Sequence, residues 1–112
     1  MTKKISEEDI KNLESILEKK LFTDLIGEKP TELKNNLQAG TLQNYISKRL
    51  YYLNEVVDAL RGAYNEEGIR RWFYRERTQL EWKNPSEYLG QDWKPDDENA
   101  KKVLELAKLL NV

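Results

Sequence analysis

Between Thr41, which is expected to cap a helix, and Gly62, which is expected to end it, an apolar stripe recurs at steps of three and four residues: Leu42, Tyr45, Ile46, Leu50, Leu53, Val56, Val57 and Leu60, with Arg49 in register among them. This is the period of a helix, not of a strand. A helix of about 20 residues with one apolar face has to cover that face with other elements. Composition says what those elements are. Charged residues make up 35%, apolar residues 38%, and there are only 5 Gly and 3 Pro, a balance that favours further helices over a β-sandwich or a disordered chain. The expected fold is therefore all-α, a compact helical bundle. No heptad pattern continues past Gly62, which excludes an extended coiled coil, and the neighbours Tyr51 and Tyr52 cannot both face inward.

The residues before this helix carry their own punctuation. Ser6, followed by Glu7, Glu8 and Asp9, supplies a capping hydroxyl and acids at the positive end of a dipole. Ile10, Leu13, Leu17 and Leu21 then predict an amphipathic helix over 7–20, and Leu21 to Ile26 a further turn or two before Gly27. Pro30 suits a first helical turn, and Gly40 a left-handed closing position. LFTDLIGEKPTELKNNLQAG thus reads as helix, tight turn, helix, similar to a helix-turn-helix whose second helix lies in the major groove. Its outer face would hold Lys29, Thr31, Lys34, Asn35 and Gln38, all able to contact phosphates or base edges. Glu28 and Glu32 oppose a polyanion, and a solvated helical corner explains the same residues. The expected organisation is a helix-turn-helix-like unit over 1–40, then the long helix and a C-terminal helical domain over 41–112.

The stretch Tyr64 to Trp93 concentrates unusual side chains: all three tryptophans, three of the six tyrosines and four of the six arginines. Such residues dominate binding at interfaces, although filling a core explains bulky aromatics equally well. Asn65 caps a helix with Ile69, Trp72 and Phe73 on its apolar face, while Glu66–Arg70 and Glu67–Arg71 have favourable acid-first spacing. Periodicity breaks after Arg77. Asn84 and Pro85 then start a single turn with Tyr88 and Leu89 inward and Gly90 closing it. Trp93 anchors the following loop, and Asp96 or a neighbour caps a last helix carrying Ala100, Val103, Leu104, Ala107, Leu109 and Leu110.

Much chemistry is missing. Without histidine or cysteine the chain lacks the usual general bases, thiol nucleophiles, disulfides and transition-metal ligands. The cluster Asp96, Asp97, Glu98 is ordinary capping for a helix start. No enzyme, metal or cofactor is expected. No apolar run approaches the roughly 20 residues that span a membrane, and MTKKISEEDI lacks a signal-peptide core, so a cytoplasmic location is expected. A net charge of −1 gives a monomer little to hold DNA with; dimerisation or a partner has to raise the affinity.

From Arg49 onward the chain resembles the toxin-binding domain of Xre/MbcA/ParS-type antitoxins. The residues that carry the resemblance are RLYYLNEVVDALRGAYNEEGIRRWF, RTQL, NPSEYLG, DWKPDD and a final LAKLL, with Trp72–Phe73, the Leu80-to-Pro85 spacing and the acid-rich start of the last helix as its specific parts. In that family a helix-turn-helix precedes the domain, where residues 21–40 stand here. The resemblance implies a homodimer that represses its own operon by binding operator DNA and neutralises a RES-domain toxin acting on NAD. A docked toxin would meet Trp72, Arg75, Arg77, Leu80, Trp82, Tyr88 and the helix end with Leu109, Leu110 and Val112. Trp82 departs from the family, which commonly has glycine there. A stand-alone helix-turn-helix regulator and a toxin-less interaction domain are the alternatives.

Overall fold

The computed structural model describes residues 5–109; Leu110 and Val112 of the expected partner surface lie outside the described residues. The fold is all-α, as expected: α1 (Glu7–Ile26), α2 (Pro30–Ala39), α3 (Asn44–Arg61), α4 (Glu66–Tyr74), a 3-10 turn (Thr78–Leu80), α5 (Pro85–Leu89) and α6 (Glu98–Leu109). Among the described residues the only extended pairing is an isolated antiparallel bridge between Arg77 and Lys83.

The caps follow from the residue types. Ser6 Oγ accepts the Asp9 N–H while the Asp9 carboxylate accepts the Ser6 N–H, a reciprocal box that satisfies two amides at the start of α1. Gly27 closes α1 and Gly40 closes α2, both left-handed (φ 95° and 73°), and Pro30 opens α2. Thr41 belongs to that closure and does not cap α3 as expected. Its backbone N–H and hydroxyl both turn back to the Asn36 carbonyl, so the long helix begins two residues beyond Leu42, after Gln43. Gly62 ends α3, as expected, in a right-handed conformation (φ −68°).

α1 contains a break. Glu18 sits at φ 65°, ψ 162°, a region essentially reserved for glycine, so the helix consists of two pieces meeting there and not near Leu21 as the sequence suggested. Arg70 of α4 clasps the break: its Nη1 donates to the Ile16 carbonyl (2.8 Å) and its Nε pairs with Glu18 Oε1 (2.9 Å).

α1 packs against α2, α3 and α4; α3 also meets α4 and α6, and α5 joins α4 to α6. One core runs from Ile5 to Ala107, with Phe22, Leu50, Leu53 and Phe73 fully buried; residues 5–40 and 41–109 both contribute to it. Each such side chain contributes about 1.5–3 kcal/mol relative to exposure.

The C-terminal end of α1 is held by residues from far along the chain. α1 has no basic residue in its last turn, and its final carbonyls need donors. Buried Arg49 supplies them: Nη1 donates to Ile26 O (2.8 Å), Nε and Nη2 to Trp93 O (3.0 and 2.6 Å), and Nη2 also to Gln91 O (3.1 Å). Trp93 Nε1 donates to Leu25 O (2.8 Å), and its ring lies 4.9 Å beneath the guanidinium. The indole therefore anchors its loop, as expected, and Arg49 brings a cation to the negative end of the dipole. Tyr52 packs against Trp93 and donates its hydroxyl to Ala100 O (2.6 Å), while Tyr51 is half-buried. No helix of the described residues is long and apolar enough to cross a membrane.

Candidate functional site

The segment between α4 and α5 is where regular structure gives way. Asn65 caps α4, accepting the Gly68 N–H (2.8 Å). A Cβ on Gly68 would lie 3.0 Å from Tyr64 Cβ, so glycine is what lets Tyr64 fold over the first turn of α4. The helix runs to Tyr74; Arg75 is then extended, and the chain enters a closed turn. Arg77 N–H donates to Lys83 O (3.2 Å), and the Trp82 N–H returns to Arg77 O (2.9 Å). Leu80 is fully buried and pins the turn to the core. To come back from that anchor, Glu81 and Trp82 both adopt left-handed conformations, φ 59° and 67°. Each costs about 1–2 kcal/mol for a residue with a Cβ. The outcome is an indole that is 72% exposed.

Beside this turn lies a cleft of about 210 Å³ lined by Tyr64, Gly68, Arg71, Trp72, Arg75 and Arg77. The Arg77 guanidinium stacks over the Trp72 ring at 5.1 Å, a cation–π contact that fixes its plane. Burial holds this guanidinium below its ordinary pKa, and Arg75 adds repulsion against the favourable phenol of Tyr64. Tyr64 favours the charge both electrostatically and through a side-chain hydrogen bond, while among the described residues Arg77 Nε and Nη2 are buried without a hydrogen-bond partner. Arg71 pairs with Glu67 (2.8 Å). Among the described residues no carboxylate lies within ion-pair distance of Arg75 or Arg77. The cleft is thus net cationic, with donors to spare.

The expected partner-facing residues do not form one surface. Arg75 and Trp82 are exposed, and Arg77 is half-buried at the cleft; these three share the irregular segment. Trp72 and Leu80 are core residues, with only the Trp72 ring reaching the cleft wall. Tyr88 is half-buried on α5, its carbonyl taken by Asn99 (3.0 Å). Leu109 is exposed on α6 and lines no part of the cleft. Sequence reasoning did not single out Tyr64 and Gly68 as cleft residues. The signal for Tyr64 was its place just before the Asn65 cap, where an apolar residue characteristically folds back onto the helix.

Lys29, just before α2, and Thr31, Asn35 and Gln38 on it are exposed, whereas Lys34 is half-buried in a 3.1 Å pair with Glu14 of α1. Lys29 shares an open depression with Lys19, Lys20, Thr23 and Asp24, so positive charge near the Gly27 turn comes as much from α1 as from α2. Lys20 is itself paired with Asp24 (3.2 Å).

No family model, curated protein or solved structure matches the chain.

Proposed function

We propose that this chain is a non-catalytic, antitoxin-type protein that binds and neutralises a RES-domain toxin through the Arg75–Lys83 turn, and that as a cytoplasmic homodimer it represses its own operon by binding operator DNA. The observation that carries the docking part is Trp82. An exposed indole held on two left-handed residues contributes little to the core, and tryptophan and arginine are the residues that most often anchor a partner. The resemblance of residues 49–112 to the antitoxin toxin-binding domain supplies the partner's identity. Co-expression with the adjacent gene tests it: the two products co-purify, the chain relieves the toxin's growth arrest, and Trp82→Gly loses both effects while staying folded. Recovery of the chain alone, with no relief of growth arrest, would sink the proposal.

A stand-alone DNA-binding regulator is the second reading, favoured by the tight turn at Gly27 and the lysines around it. Lys29→Ala combined with Asn35→Ala tests it without disturbing the Lys34–Glu14 pair. Loss of operator binding with toxin neutralisation intact supports the antitoxin; loss of operator binding in a chain that meets no toxin supports the regulator.

A further inference from the structure

We propose that the cleft bounded by Tyr64, Trp72 and Arg77 is a carboxylate-binding site that takes an aspartate or glutamate side chain of the protein docked at the Trp82 turn. This rests on the docking reading above and names the chemistry the partner brings. The comparison that supports it lies within the same molecule. Arg49 uses its Nε–Nη2 edge to grip the Trp93 carbonyl, and its remaining donors reach Ile26 and Gln91. Arg77 has the same edge, and there, among the described residues, Nε and Nη2 have no hydrogen-bond partner, although the guanidinium itself is stacked on Trp72 and bonded by Tyr64. That edge is the side of a guanidinium whose two parallel N–H groups match the two oxygens of a carboxylate. A buried donor pair without an acceptor is an unfavourable state, which an incoming anion relieves.

Charge and size agree with this assignment. Arg71, Arg75 and Arg77 line the cleft without an acid among its lining residues; Arg71 is paired with Glu67, whereas among the described residues exposed Arg75 has no ion-pair partner to compete with an incoming carboxylate. At about 210 Å³ the space is smaller than the roughly 300–1,000 Å³ that small-molecule and cofactor sites occupy, and it suits a single side chain. Arg77 lines the cleft, but its Nε–Nη2 edge is covered in the free chain, so engagement requires the guanidinium to turn that edge outward and give up its stacking on the Trp72 ring.

The full chain, labelled for observation of arginine Nε–H and tryptophan indole signals by NMR, is titrated at constant ionic strength with three probes: a blocked tri-glutamate peptide, its tri-glutamine counterpart, and inorganic phosphate. The expected result is a saturable shift of the Arg77 Nε–H and Trp72 indole signals with tri-glutamate and none with tri-glutamine. Arg77→Lys keeps the charge but loses the fork, and weakens tri-glutamate binding by about tenfold or more. Arg75→Gln weakens it less; its side chain is exposed and makes no bond to the fold, so it carries the test if Arg77→Lys does not fold. Absence of a saturable shift, equal shifts with tri-glutamine, or unweakened binding in both variants overturns the site. Tighter binding of phosphate than of tri-glutamate overturns its assignment to carboxylate. A chain that binds tri-glutamate but no toxin keeps the site and loses the docking reading; one that neutralises a toxin but ignores tri-glutamate loses the site alone.

Discussion

Tyr52 ties the stability of the bundle to alkaline pH. Its buried phenol donates to Ala100 O, and burial, reinforced by the nearby Glu55 carboxylate, pushes its pKa above the ordinary phenol value. In the unfolded chain the phenol ionises near its usual pKa of about 10. The unfolded state therefore releases this proton first as pH rises. Stability is flat in this respect below about pH 10 and declines above it. Tyr52→Phe should cost about 1 kcal/mol at neutral pH through the lost hydrogen bond, and should show a shallower fall in urea midpoint between about pH 9 and about pH 11. Equal slopes for the two proteins would mean that the phenol is not coupled to folding. Trp82 is the opposite kind of aromatic. Truncating a buried tryptophan costs about 3–5 kcal/mol, but Trp82 is exposed and left-handed. Trp82→Gly is expected to leave stability unchanged or to raise it by about 1 kcal/mol, because glycine adopts that conformation without strain.

At the scale of the element, α1 is set apart by its break. In an ordinary helix interior glycine is about 1 kcal/mol worse than alanine. At Glu18, with φ 65°, the order should reverse: Glu18→Gly is expected to be more stable than Glu18→Ala by about 1 kcal/mol, both variants having lost the Arg70 pair. Denaturant unfolding of the two variants decides it, and the ordinary helical order would show that α1 is continuous in solution. Helix boundaries set by local chemistry were legible in the sequence: the Ser6 box, the Asn65 cap, Pro30, Pro85 and the glycines at 27 and 40 stand where expected. The break was not, because glutamate is a good helix former and the residue that clasps the kink is Arg70, 54 positions from the carbonyl it binds. Thr41 misled for a related reason. A threonine before an apolar run resembles an N-cap, yet the same side chain also closes the preceding helix, and here it bonds back to Asn36.

Across the whole molecule, the irregular segment after Arg77 was visible in the sequence as a loss of period, and Arg75, Arg77 and Trp82 stand at or within it. The cleft itself was hidden, since it depends on Tyr64 folding over Gly68 and on which guanidinium edge stays unpaired. Arg49 was similarly concealed, as a charged residue in an apolar register. Its bonds reach 23 residues back to Ile26 and 44 forward to Trp93, so they form only after α1, α3 and the loop before α6 have already come together. Bonds that need all three parts in place are expected to be absent from the folding transition state, so that their loss shows in the unfolding rate. Arg49→Lys removes the fork and leaves buried carbonyls short of donors, at a cost of about 2–3 kcal/mol. In stopped-flow measurements the unfolding arm should accelerate by one to two orders of magnitude while the refolding arm stays in place; a slowed refolding arm would put Arg49 in the nucleus instead. With that outcome, the residue that joins three distant parts of the chain would be a latch on the lifetime of the native state, acting on how long the bundle persists once made.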